Sequence, residues 1–127
     1  MAYAVREGDP TSTGGFVVSA SATHQVEERR LARMGDPVWC PACEQVGYIT
    51  QGNPTLIDEY VAVATEGHEV RCGCERGTHL LIATQQSLAA DMDATIKIPK
   101  DMAKAAKLRA EKMTAVRKAD GPSQRPL

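Results

Sequence analysis

Apolar residues arrive in short bursts over the first two-thirds of the chain. Phe16-Val17-Val18, Tyr48-Ile49 and Leu80-Leu81-Ile82 are each followed within a few residues by polar or small side chains. Such brief runs of strand-forming residues predict short β-strands within Phe16–Ala20, Tyr48–Thr50 and His79–Thr84. Gly14-Gly15, Gly35-Asp36-Pro37, Gly52-Asn53-Pro54 and Gly73 read as the turns between them. Many short strands with regular turn signals predict an all-β roll or a small β-helix. After Pro99 the pattern changes. Met102 to Met113 is rich in Ala, Lys, Leu, Arg and Met, all strong helix formers. A helix is expected there, capped by Asp101 and stopped by Gly121-Pro122, with the last residues disordered. Its apolar face (Met102, Ala106, Arg109, Met113 and Val116) is narrow and weak.

The bursts recur in register. With Gly15–Ala42 set beneath Gly47–Cys74 at a fixed offset of 32 residues, seven positions are identical. These are Gly15/Gly47, Thr23/Thr55, Glu27/Glu59, Ala32/Ala64, Gly35/Gly67, Val38/Val70 and Cys40/Cys72. A fainter third copy brackets them: Glu7-Gly8-Asp9 matches Met34-Gly35-Asp36 and Glu66-Gly67-His68, and Leu80-Leu81-Ile82 continues the register of Tyr48-Ile49-Thr50. A period near this length marks one supersecondary unit used several times. Five residues after Gly8, Gly35 and Gly67 stand Thr13, Cys40 and Cys72. If the units wind about an axis, these three side chains converge on it.

Composition and charge divide the chain in the same place. Residues 1–86 carry six Arg, no Lys and eleven Asp or Glu, whereas Lys97–Lys118 holds eight basic residues against two acidic ones. The expected organisation is a β domain over residues 1–86, then a linker, basic helix and tail over 87–127. Five aromatic residues are few for a core, and a chain of this size buries only roughly two-thirds of its unfolded surface. A cross-link of some kind is therefore expected. The sequence has neither a long apolar stretch for a membrane helix nor a charged-then-apolar start of the secretory type. Folding in the cytoplasm is expected, where clustered thiols bind metal more often than they form disulfides.

The four cysteines form two pairs, Cys40-Pro-Ala-Cys43 and Cys72-Gly-Cys74. The first spacing lets two thiolates reach one ion from a tight turn, and the second does so from an extended strand. Together they supply the four soft donors that tetrahedral zinc takes in closed, structural sites. The expected ligands are Cys40, Cys43, Cys72 and Cys74. His68, four residues before Cys72, and His79, at the Gly15/Gly47 position, are alternative ligands. His24 pairs with Leu56 across the repeat and is expected away from the axis.

Leu31-Ala-Arg-Met-Gly-Asp-Pro-Val-Trp-Cys-Pro resembles the signature of the PAAR family, named for a Pro-Ala-Ala-Arg stretch before a Gly-Asp. Gly8-Asp9-Pro-Thr-Ser-Thr-Gly-Gly, Gly52-Asn-Pro-Thr-Leu-Ile-Asp, Gly67-His68-Glu-Val-Arg-Cys-Gly-Cys and Leu81-Ile-Ala-Thr-Gln are similar to further family segments, in the family's order, over about residues 4–86. The resemblance implies a mainly β fold: a small cone of three β-repeats about a pseudo-threefold axis, with structural zinc near the tip, here followed by the C-terminal helix. It implies a non-enzymatic partner of the trimeric valine-glycine repeat (VgrG) spike of the bacterial type VI secretion system. The broad base of the cone would cap the spike, one copy per trimer, while terminal extensions carry or bind effectors. The protein would wait in the bacterial cytoplasm and leave with the spike.

The family commonly places a zinc-binding His in its first turn, where this chain has Thr13, so a donor must come from elsewhere; Cys43 and Cys74 are natural substitutes. Cys40 and Cys72 match the family's axial ligands, and His68 matches a frequent His of the last repeat. For the basic helix the readings are packing on the acidic β domain, adaptor binding to an effector or chaperone, or the front of a longer effector fusion. The rival class is a zinc-ribbon-like nucleic-acid module, supported by the lysines of the tail. The acidic balance of the cysteine-bearing part and its lack of an aromatic–basic stripe speak against nucleic acid.

Overall fold

Short strands leave most of this chain's pairing to contacts between distant segments. The computed structural model describes residues 2–120. In chain order the elements are β1 (Phe16–Val17), β2 (Gln25–Val26), β3 (Arg29–Arg30), β4 (Pro37–Cys40), β5 (Gln45–Ile49), β6 (Gln51–Asp58), β7 (Val61–Val63), β8 (Val70–Arg71), β9 (Ile96–Lys97) and the helix α1 (Lys100–Asp120). Strands β1-β4-β5-β8 form an antiparallel sheet in that order. Bridges Pro10↔Phe16, Glu69↔Leu80 and Thr11↔Leu81 continue it around until it closes on itself. Closure removes the free edges that such short strands would otherwise expose.

Each repeat contributes one hairpin to this ring, and the backbone follows a pseudo-threefold rule. The Val5 N–H donates to the Ala64 carbonyl (2.9 Å), Ala64 to Ala32 (2.8 Å) and Ala32 back to Val5 (2.8 Å), a closed three-membered cycle. One turn later Gly8, Gly35 and Gly67 donate to the carbonyls of Val17, Ile49 and Leu81 at 2.9, 2.8 and 2.8 Å. These glycines sit at φ 84°, 94° and 90°, a region that side chains with a Cβ seldom enter. Inside the ring, Val17, Ile49 and Leu81 pack with Val5, Ala32, Val38, Ala64 and Val70. This cluster contains no aromatic ring, so the hydrophobic stabilisation is thin.

Away from the ring, β2–β3 and β6–β7 are hairpins with two-residue turns, Glu27-Glu28 and Glu59-Tyr60. All four turn residues have positive φ (51°, 70°, 46° and 71°), as this tight connection requires. Neither turn contains the Asn-Gly signal that would announce it in sequence. The Gly52-Asn53-Pro54 run, expected as a turn, lies within β6, which pairs with β7 and β9. Gly52 is there for packing: a Cβ on it would come 2.6 Å from that of Ala62 and 2.7 Å from Met34 Cγ. Buried Asn53 accepts from the Thr55 N–H (2.9 Å) and donates to the Met92 carbonyl (2.7 Å).

The segment between the β ring and the helix is fastened down. Ala90 N–H donates to Ala2 O (2.8 Å), β9 pairs with β6 through Gln51↔Lys97 and Gly52↔Ile96, and Ile98 N–H donates to Thr50 O (2.8 Å). α1 then packs along β5 and, more lightly, β4. It begins one residue before Asp101, which lies inside the first turn and there favours the positive end of the helix dipole. Its inward face also differs from expectation. Ala106 and Ala110 are buried with Met102, Ala103, Met113, Thr114 and Arg117 half-buried, whereas Arg109 and Val116 are exposed. Small alanines let the helix approach the sheet, and two polar residues finish the contact. Thr114 Oγ1 accepts from the Val46 N–H (2.8 Å) and the Arg117 guanidinium lies 4.3 Å over the Trp39 ring, a cation–π contact. The Gly121-Pro122 stop and the tail expected to be disordered lie outside the described residues.

Candidate metal centre

The three hairpin turns of the ring, around residues 12–15, 41–44 and 73–78, meet at one end of the strands. Cys40 closes β4 there and Cys72 follows β8 directly. Register explains which residues meet. Phe16 pairs with Trp39 and Tyr48 with Arg71, so Gly15 stands opposite Cys40, and Gly47 opposite Cys72. A Cβ on either glycine would lie 2.1 Å from a neighbouring carbonyl oxygen, that of Trp39 or Arg71. The third pair follows from the Thr11↔Leu81 bridge, which places Thr13 opposite His79. In the first two pairs a thiol faces a glycine; in the third the donor has crossed to the opposing strand.

The donor atoms of Cys40, Cys72, Cys74 and His79 all lie within 4.8 Å of one another. Cys40 Sγ is 3.8 Å from Cys74 Sγ and 3.2 Å from His79 Nε2. An ideal zinc tetrahedron puts two sulfurs about 3.8 Å apart, and a sulfur and a nitrogen about 3.6 Å apart. Three thiols and an imidazole therefore stand close to metal-ligand spacing, and the donor chemistry fits a structural ion. The electrostatics point the same way. Burial pushes the Cys72 thiol well above its ordinary range, and raises Cys74 to about 11 with the Cys40 and Cys43 thiols beside it. Several thiolates at one spot oppose one another's ionisation, and a divalent cation supplies the charge that lets them coexist.

His79 is buried and oriented. Its Nδ1 makes a short hydrogen bond with Thr13 Oγ1, which lies 3.3 Å from Thr11 Oγ1. Thr11 Oγ1 in turn accepts from the Gly15 N–H at 2.9 Å. This chain of contacts fixes Nε2 toward the thiols, the usual device by which a second hydrogen bond sets a ligating imidazole. Thr13 thus contacts the donor cluster through His79. Part of the clue lies in the repeat register, which aligns Thr13 with Cys40 and Cys72 and His79 with Gly15 and Gly47; that the two positions face each other follows only from the strand pairing.

The other sequence candidates occupy different places. Cys43 is adjacent: its half-exposed thiol is close enough to Cys40, Cys72 and Cys74 for them to influence its ionisation, yet it lies outside the mutually close set. Burial works to raise its pKa, but those thiols and the Gly73 N–H outweigh this and lower it. His68 is remote from the centre and serves the fold. Its Nδ1 accepts from the Thr65 N–H at 2.9 Å, as Asp9 Oδ2 does from Arg6 and Asp36 Oδ2 from Arg33, both at 2.8 Å. Its Nε2 lies 3.1 Å from Thr95 Oγ1, and burial lowers its pKa. His24 is exposed, with its backbone N–H on Asp58, and lies outside the cluster.

A family model described as PAAR motif matches residues 7–75, more than half of the chain. No curated protein and no solved structure gives a significant match. Among the described residues no helix is long and apolar enough to cross a membrane.

Proposed function

The chain belongs to the PAAR family, and from that premise we propose that it caps the trimeric VgrG spike of a type VI secretion system. The observation that carries this reading is the three-membered cycle of backbone bonds through Val5, Ala32 and Ala64. One copy so built offers three similar faces to three spike chains, so a single monomer matches a trimer without itself forming one.

The two ends of the ring have different chemistry, and each suits one job. At the turn end, zinc held by Cys40, Cys72, Cys74 and His79 ties the second and third repeats together. Thr13, through His79, draws in the first. Such a cross-link is worth about 10–16 kcal/mol of apparent folding free energy, as much as a small domain's whole stability, and it stiffens a point whose apolar core is thin. Cys43 stays beside the site as a further thiol. The opposite end carries the Glu27-Glu28 and Glu59-Tyr60 turns. Tyr60 is 99% exposed, with Ile57 and Met92 also uncovered, and these apolar groups are suited to a partner's blunt end.

The role is mechanical: the chain sharpens a puncturing device and leaves the bacterial cytoplasm with it. The basic helix lies along the flank, reaching Trp39 and Val46 near the turn end, and its exposed lysines suit it to hold an effector or chaperone. Mixing the chain with the spike trimer of its own genome and measuring the mass after size exclusion tests the reading. A complex of one copy per trimer is expected. A folded, zinc-loaded chain that elutes alone from every spike trimer of that genome rejects it.

A further inference from the structure

Beside α1 the flank carries a cleft of about 460 Å³, between the β5–β8 pair and the start of the helix. Four cations line it: Arg71 on β8, Arg76 in the 73–78 turn, Lys97 on β9 and Lys100 at the start of α1. All four are exposed. The ion pairs among the described residues are Arg6–Glu27, Arg29–Asp9 and Arg33–Asp58, so none of the four cations has a carboxylate partner there. The one acidic side chain in the lining, Glu69, accepts from Gln51 Nε2 at 3.2 Å. The cleft is not purely ionic, because Tyr48, Val70, Ile98 and Ala103 also line it.

We propose that this cleft is a docking site for an acidic segment of a partner polypeptide. Four unpaired cations around a partly apolar groove match a segment that alternates carboxylates with apolar side chains. The carboxylates would meet the arginines and lysines, and the apolar side chains would lie against Tyr48 and Ile98. A polypeptide fits better than a nucleic acid. A continuous phosphate backbone would run past the Glu69 carboxylate, and the lining offers a single aromatic residue, Tyr48, for base stacking. The position is also suitable, since the cleft runs along the flank beside α1, reaches the 73–78 turn through Arg76 and Cys74, and leaves the Tyr60 end free. The inference rests on the adaptor role given to the flank above and gives it a site and a ligand chemistry.

The test uses the zinc-loaded full chain and, as probe, a short fluorescein-labelled peptide of alternating glutamate and leucine, followed by fluorescence anisotropy. The variant Arg71→Gln/Lys97→Gln is expected to bind about tenfold more weakly. The variant Arg109→Gln/Lys112→Gln, which removes the same charge from exposed positions of α1 that do not line the cleft, should bind as the parent does. Equal weakening in both variants would reduce the effect to net charge and overturn the site. So would an absence of binding by the parent, or tighter binding of an oligothymidylate of similar length than of the peptide. The assay contains no spike protein. Loss of peptide binding in Arg71→Gln/Lys97→Gln with unchanged capture by the spike trimer separates this site from the capping role.

Discussion

Thr13 and His79 face each other across the seam where the ring closes, so the imidazole on one strand stands where a donor on the other would reach the same cluster. The first-turn residue has a hydroxyl too weak to serve as a metal ligand, but it can hold the ring of the residue opposite. Thr13→Ala should therefore leave the fold intact and lower zinc affinity about 10–100-fold, measured by competition with a chromophoric chelator. Thr13→Ser, which keeps the oxygen, should recover most of the loss. Equal affinity in Thr13→Ala and parent would reduce the contact to a bystander. His68 makes a different point, because its imidazole replaces a carboxylate in a turn cap. Burial holds its pKa below the ordinary 6.5, so on acidification the unfolded chain takes up the proton first. The stabilisation from the neutral ring is complete above about pH 6.5 and is lost as pH falls through the folded value. In His68→Asn the amide oxygen can still accept from Thr65 but does not titrate. Denaturant melts at saturating zinc should show a shallower loss of stability below about pH 6.5 in the variant than in the parent; identical profiles would exclude His68 as a source.

At the scale of elements, strand pairing depends on positions where no side chain fits. Gly47→Ala would drive a Cβ to 2.1 Å from the Arg71 carbonyl, and backbone cannot swing aside as a long side chain can. The expected cost is about 1–3 kcal/mol or more, together with weaker zinc binding, since separating β5 from β8 displaces Cys72. A variant with parental melting temperature and metal content would show that the pair can open without consequence. The β6–β7 turn carries the opposite kind of strain. Tyr60 sits at φ 71°, a conformation that costs a residue with a Cβ roughly 1–2 kcal/mol, and its ring touches little of its own protein. Tyr60→Gly should thus raise the melting temperature while weakening capture by the spike; a rise in both would remove Tyr60 from the docking surface. These elements also mark how far the sequence could be read. The ring was legible because Gly35/Gly67, Val38/Val70 and Cys40/Cys72 repeat at one offset, and each identity has a geometric cause in the threefold backbone. The two tight turns were not, because Glu27-Glu28 and Glu59-Tyr60 adopt by tertiary constraint a shape that sequence normally announces with Asn and Gly. Gly52 was misread for the converse reason, a packing glycine resembling a turn glycine. The helix was plain from its composition, but its buried face was not. Ala106 and Ala110 have little hydrophobic weight, and the polar Thr114 and Arg117 find partners that only the folded sheet supplies. For the metal centre, the cysteine pairs gave the place, while the balance between Cys43 and His79 depended on which strands close the ring.

For the whole molecule, three surfaces divide the labour. The turn end gathers thiols and an imidazole at metal-ligand spacing, the opposite end exposes strained hairpin turns, and the flank bears the helix with its cationic cleft. This arrangement suits a body pushed from one end, led by the other and loaded on its side. It requires that docking engage the hairpin end, which hydrogen–deuterium exchange of the chain, alone and on the spike trimer, reads directly. The trimer is expected to slow exchange around residues 25–30, 57–62 and 89–93. The turns at 41–44 and 73–78, and α1, should exchange as they do in the free chain. Protection concentrated at the thiol-bearing turns, with the Glu27-Glu28 and Glu59-Tyr60 turns unchanged, would contradict it.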